Sequence, residues 1–137
     1  MKHIIVILVV SLTLASCDSA NKQRPSAKYE EKKMSLEDME RGNPLEFLKI
    51  TGSTRNNLIN QTVVEGDITN HATLVAYKDV VVQVVYLDKD GSVIEKQKET
   101  INDVVKPNSS NSFKIKSGHV KGTHSVELDI VKAVANK

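Results

Sequence analysis

The stretch YKDVVVQVVYLDKDGSVIEKQKETI, from Tyr77 to Ile101, decides the fold. Val80, Val82, Val84 and Tyr86 fall on one side of an extended chain, and Val81, Gln83, Val85 and Leu87 fall on the other. β-Branched side chains of this density suit a pleated surface and not a helix. Asp88-Lys89-Asp90-Gly91 then breaks the run with a tight turn in which Gly91 is free to take a positive φ. The pattern predicts a hairpin. Its returning arm, VIEKQKE, is charged on both faces, as suits a sheet edge that must not recruit a further strand. The turn explains its own acidic residues, so Asp88 and Asp90 need no calcium-loop reading.

Short alternating segments lie on both sides of this hairpin. LEFLKITGSTR (45–55) is a first strand candidate. QTVVEGDITN (61–70) is a second, with Val64 and Ile68 on one face and Gly66 between them, marking a close backbone approach or a bulge. KPNSSNS is a turn-rich loop before SFKIK, where Phe113 and Ile115 point one way and Lys114 and Lys116 the other. THSVELDIVKAV places Val126, Leu128 and Ile130 inward. Six or seven short strands with no long helix predict an all-β chain, an immunoglobulin-like antiparallel β-sandwich.

The residues before this region have other roles. Met1-Lys2-His3 and the apolar run IIVILVVSLTLA form a basic start and a short hydrophobic segment. The segment is too short to span a bilayer, which takes about 20 residues, and it matches a secretory h-region. Residues 1–16 are therefore expected to be a cleaved signal. Residues 17–34 are expected to be a flexible tether, because DSANKQRPSAKYEEKK offers almost nothing to bury. Residues 35–137 are expected to form the domain. It opens with a short helix over Ser35–Gly42, capped by Ser35 and able to turn only Leu36 and Met39 toward a core.

Leu14-Ala15-Ser16-Cys17 resembles the lipobox of bacterial lipoproteins. That resemblance implies cleavage between Ser16 and Cys17, a diacylglycerol thioether on Cys17 and attachment to a membrane through that lipid. The thioether explains the need for a thiol, and palmitate-type chains on the glycerol supply the membrane affinity. Two or more chains, at about 0.8 kcal/mol per buried methylene, anchor stably where one does not. Cys17 is the single cysteine, so no internal disulfide is available.

VEGDITN leading to YKDVVVQVVYLDKDG, then VVKPNSSNSFKIK, resembles the immunoglobulin-like FxLYD domain of bacterial secreted proteins and lipoproteins, over roughly residues 63–115. MSLEDMERGNPLEFLKITG followed by the hairpin also looks like lipoproteins of the Bacteroidetes. These resemblances imply a bacterial cell envelope and a domain that faces the periplasm, on the outer membrane in preference to the inner. Asp18-Ser19-Ala20 matches the short acceptor pattern for serine glycosylation in that group, which makes Ser19 a candidate modification site.

The composition points away from several functions. With 19 Lys and Arg against 17 Asp and Glu, and Lys2 the one basic residue in the cleaved segment, the mature chain carries a formal net charge of +1. That balance gives no pull on nucleic acid, and without Trp there is little aromatic platform for stacking bases. No GxSxG pattern stands out, and no enzyme activity or cofactor is expected. His71, His119 and His124 read as loop histidines rather than metal ligands, since no further matched ligands accompany them. The expected role is a non-enzymatic binding or scaffolding module with an envelope protein partner. A small-ligand or carbohydrate-binding subunit of an envelope complex is the alternative. The outer side of the central strand, apolar at Val81, Val85 and Leu87, is the candidate partner face. Three readings stand for it: β-branched residues that simply favour a strand, a cover supplied by Leu36 and Met39, or a partner protein.

Overall fold

A computed structural model describes residues 27–56 and 61–137. Two helices lead the order, α1 (Ala27–Gly42) and α2 (Pro44–Phe47). Six strands follow: β1 (Leu48–Asn56), β2 (Thr62–Asn70), β3 (Tyr77–Leu87), β4 (Val93–Ile101), β5 (Ser109–Ser117) and β6 (Ser125–Ala135). They form two antiparallel three-stranded sheets, β1-β2-β5 and β4-β3-β6. Together these sheets make the all-β antiparallel sandwich that the strand pattern predicts.

The alternation in β3 is what joins the two layers. Val80, Val82, Val84 and Tyr86 are at most 1 % exposed and meet Val64 and Ile68 of β2 and Phe113 and Ile115 of β5 in one core. Fully burying a valine is worth roughly 1.5–3 kcal/mol, so this single face supplies a large part of the drive to fold. β6 adds Ile130 to the core, with Val126 and Leu128 packed against it. As its charge predicts, β4 lies at an edge and is exposed along nearly its whole length.

The hairpin turn is held by one side chain. Asp88 Oδ1 accepts the backbone N–H of Asp90 (2.9 Å) and of Ser92 (2.8 Å), while Gly91 takes φ +81° and donates to the Asp88 carbonyl. The glycine in β2 also has a specific use. Gly66 pairs directly with Gly52 of β1, and a Cβ on Gly66 would collide with the Thr51 carbonyl oxygen and lie 2.7 Å from the Gly52 Cα. A Cβ on Gly52 would lie 2.7 Å from Leu128 Cδ1 of the opposite sheet. The paired strands lie backbone against backbone here, and Leu128 occupies the space that a side chain on Gly52 would have taken.

Three expectations need correction. The helix begins at Ala27, so residues 27–34 of the expected tether are helical, and Ser35 sits inside α1 rather than capping it. Alanine, glutamate, lysine and methionine upstream of Ser35 favour helix, and extending a helix costs far less than starting one. Leu36 and Met39 do not face the core: they are 36 % and 49 % exposed. The expected first strand starts three residues late, because Pro44 opens the single turn α2, in which Glu46 N–H donates to the Asn43 carbonyl.

Candidate functional site

Glu40 replaces the expected apolar pair as the residue that docks α1. It is 1 % exposed, and its carboxylate is received by the loop between β2 and β3. Oε1 accepts the Thr73 N–H (2.8 Å) and hydroxyl (2.9 Å), and Oε2 accepts the Leu74 N–H (2.9 Å) and Val75 N–H (3.0 Å). The Tyr77 hydroxyl donates to the Glu40 carbonyl at 2.7 Å. Burial alone would push the Glu40 carboxyl up, but the donors of Thr73, Leu74 and Val75 outweigh it and hold the group below the usual carboxylate range. Tyr77 is pushed up to about 12, first by burial and then by the charge of Glu40, so it remains a donor at any physiological pH.

The receiving loop is itself fixed by Asn70, which is fully buried. Its amide donates to the carbonyls of Val75 (2.9 Å) and Val105 (3.1 Å), and its oxygen accepts the Ala72 N–H (2.8 Å). Arg41 completes the junction, pairing with Glu37 at 2.7 Å and donating to the Asn136 carbonyl at 3.2 Å. The last turn of α1 is thus bonded both to the β2–β3 loop and to the end of β6. That last turn is part of the folded unit.

The candidate partner face is organised by the register of the second sheet. Val85 lies between Lys96 of β4 and Glu127 of β6, Gln83 between Lys98 and Asp129, and Val81 between Thr100 and Lys132. Val85 and Leu87 are 9 % and 8 % exposed and Val81 is half-buried, so little of this apolar strip is bare. Leu36 and Met39 stay exposed, and the register sets Lys96 and Glu127 on the strands either side of Val85.

The first sheet carries an open depression of about 610 Å³ on its outer side, around Glu65, Asp67 and Lys114. Glu65 accepts from Arg55 (3.0 Å) and lies 2.5 Å from the Lys114 ammonium, and these two contacts, Arg55 first, hold its carboxyl down to about 2. Asp67 accepts the Ser112 hydroxyl at 2.6 Å. His119 and His124 line one smaller cavity of about 220 Å³ with Arg55 and Thr123, whereas His71 stands elsewhere; all three histidines are exposed. Among the described residues no group of three or more His, Cys, Asp or Glu is placed to hold a metal ion. Ser16, Cys17 and Ser19 lie outside the described residues.

Sequence reasoning missed Glu40 because a lone carboxylate in a charged helix carries no mark of burial. The one available signal was its spacing: Glu40 lies four residues after Leu36, on the stripe that seemed to face the body. No protein-family model, curated protein or solved structure matches the chain.

Proposed function

We propose that the chain is a lipid-anchored lipoprotein of the bacterial cell envelope, resembling the Bacteroidetes and FxLYD-type lipoproteins, whose sandwich acts as a non-enzymatic binding or scaffolding module. The observation that carries this reading is the Leu14-Ala15-Ser16-Cys17 box directly behind a basic start and a short apolar run. The lipid on Cys17 holds the chain to a bilayer, periplasm-facing and on the outer membrane in preference to the inner, and an envelope protein is the partner. The docking of α1 supports it in a second way. Between Cys17 and Ala27 lie nine residues, which extend to at most about 32 Å, and Glu40 follows about 20 Å along α1, so the sandwich is held within roughly 50 Å of the surface that holds the lipid.

The test is Cys17→Ser in the full chain, expressed in a bacterial host and partitioned between detergent and aqueous phases. The wild type enters the detergent phase and takes up labelled palmitate. The variant stays aqueous and unlabelled. A variant that still partitions with detergent and is processed normally refutes the anchor.

A further inference from the structure

The outer side of the β4-β3-β6 sheet carries an ordered charge pattern. Lys96 and Lys98 stand in one column on β4, Glu127 and Asp129 in another on β6, and Val85 and Gln83 lie between them on β3. All four charged residues are exposed, and none of them takes part in an ion pair found among the described residues. They cannot neutralise one another within the chain, because two strand spacings, about 9–10 Å, keep the columns apart.

We propose that a second copy of this chain docks on this face, about a twofold axis parallel to β3. That axis turns the two sheets face to face, exchanges the outer columns and preserves the rows. Lys96 of each copy then meets Glu127 of the other, Lys98 meets Asp129, and Val85 and Gln83 each meet their own counterparts. An axis perpendicular to the strands would set lysine against lysine and carboxylate against carboxylate, which electrostatics rejects.

The size of the face sets the strength. Three strands by four residue rows cover roughly 400 Å² per copy, about 800 Å² in all, below the roughly 1,000 Å² of a stable interface and in the range of a transient one. Val85 and Leu87 are already nearly covered, so little apolar area remains to be gained and the association is chiefly electrostatic. The dimer is therefore weak and sensitive to salt. The axis also keeps the strand direction of both copies, so the Tyr77 ends, where Glu40 docks α1, lie side by side. The docked turns of both α1 helices thus lie at one end of the dimer, which on the anchor reading lets both lipids reach one bilayer; the pairing itself does not rest on that reading.

The test uses the full chain purified in detergent, with Cys17 left in place. In sedimentation the wild type dimerises with rising concentration at low salt and dissociates at high salt. Lys96→Glu with Lys98→Glu makes both sides of the Val85 and Gln83 rows acidic, and Glu127→Lys with Asp129→Lys makes both sides basic, while Lys132, which this pairing sets opposite Thr100, is unchanged. Each double variant alone loses dimer affinity by about ten-fold or more, and mixing the two restores a mixed dimer. With Gln83→Cys added to the wild-type chain and to both double variants, a short bis-maleimide joins two copies above the background given by the same chains without Gln83→Cys, in the wild type and in the mixed pair. The proposal is overturned by a wild type that stays monomeric at low salt, by double variants that dimerise like the wild type, or by a mixture that does not associate or is not joined through position 83. Absence of lipid on Cys17 would leave the charge-swap result unchanged, which separates failure here from failure of the anchor.

Discussion

The Glu40 carboxylate and the Val75 N–H, 35 residues apart in sequence, meet at 3.0 Å in the interior of the protein. With Thr73 and Leu74 adding three more donors, a charged side chain that would be costly to bury becomes the fastener between the leading helix and the sandwich. Its worth follows from what removal leaves behind. Glu40→Ala strands three backbone N–H groups beside a vacated site and is expected to lower unfolding free energy by about 3 kcal/mol. Glu40→Gln, which keeps an acceptor without the charge, is expected to cost about half as much. Chemical denaturation of the full-length chain measures both, and equal stability of wild type and Glu40→Ala would refute the fastener.

The same contact gives an acid limit. Because the folded Glu40 carboxyl is held below its ordinary value of 4.5, its stabilisation is fully present above about pH 4.5 and is lost as pH falls through the lower folded value. Stability of the wild type is expected to drop across that window, and that of Glu40→Gln to drop less. Thermal melts from pH 7 down to 3 check this; parallel curves for the two proteins would contradict it.

Tyr77→Phe removes the donor to the Glu40 carbonyl while keeping the ring in the core. The expected cost is about 1–2 kcal/mol, with the increment shrinking in a Glu40→Ala background, since the two groups share one junction. A double-mutant cycle reads this coupling directly. Additive losses would mean that the two contacts act separately.

The glycine pair supplies a prediction of a different kind. At Gly66 the obstruction is backbone from Thr51 and Gly52, which cannot turn away, so Gly66→Ala is expected to cost about 3 kcal/mol or more. Gly52→Ala meets the Leu128 side chain but also the Glu65 carbonyl oxygen at 2.8 Å, so it too is unfavourable, by a smaller amount. Urea midpoints rank the two variants; a neutral Gly66→Ala would mean that the strands can separate without penalty.

Much of this architecture can be read from the sequence, and the limits of that reading are physical. The period of two in Val80–Tyr86 survives because an inward face in a two-layer sandwich has no choice but to be apolar. Asp88 and Gly91 are legible because the turn needs their particular chemistry. Gly66 shows a close approach, although not that Gly52 is its partner, since register depends on contacts far apart in the chain. Glu40 is illegible for a similar reason: its donors lie on a loop more than 30 residues away, and a buried carboxylate looks like a solvated one until that loop is placed. The surroundings of the outer valines are illegible for the same reason: only strand pairing sets the lysines of β4 and the carboxylates of β6 alongside them.

The central claim is that Cys17 is the first residue of the mature protein and carries the lipid that holds the docked helix and sandwich at a bilayer. Intact and peptide mass spectrometry of the chain purified from bacterial membranes tests this most directly. The expected result is an amino-terminal peptide beginning at Cys17 with the added mass of a diacylglyceryl group. A mature chain that begins at another residue, or an unmodified Cys17 in the membrane fraction, would contradict it.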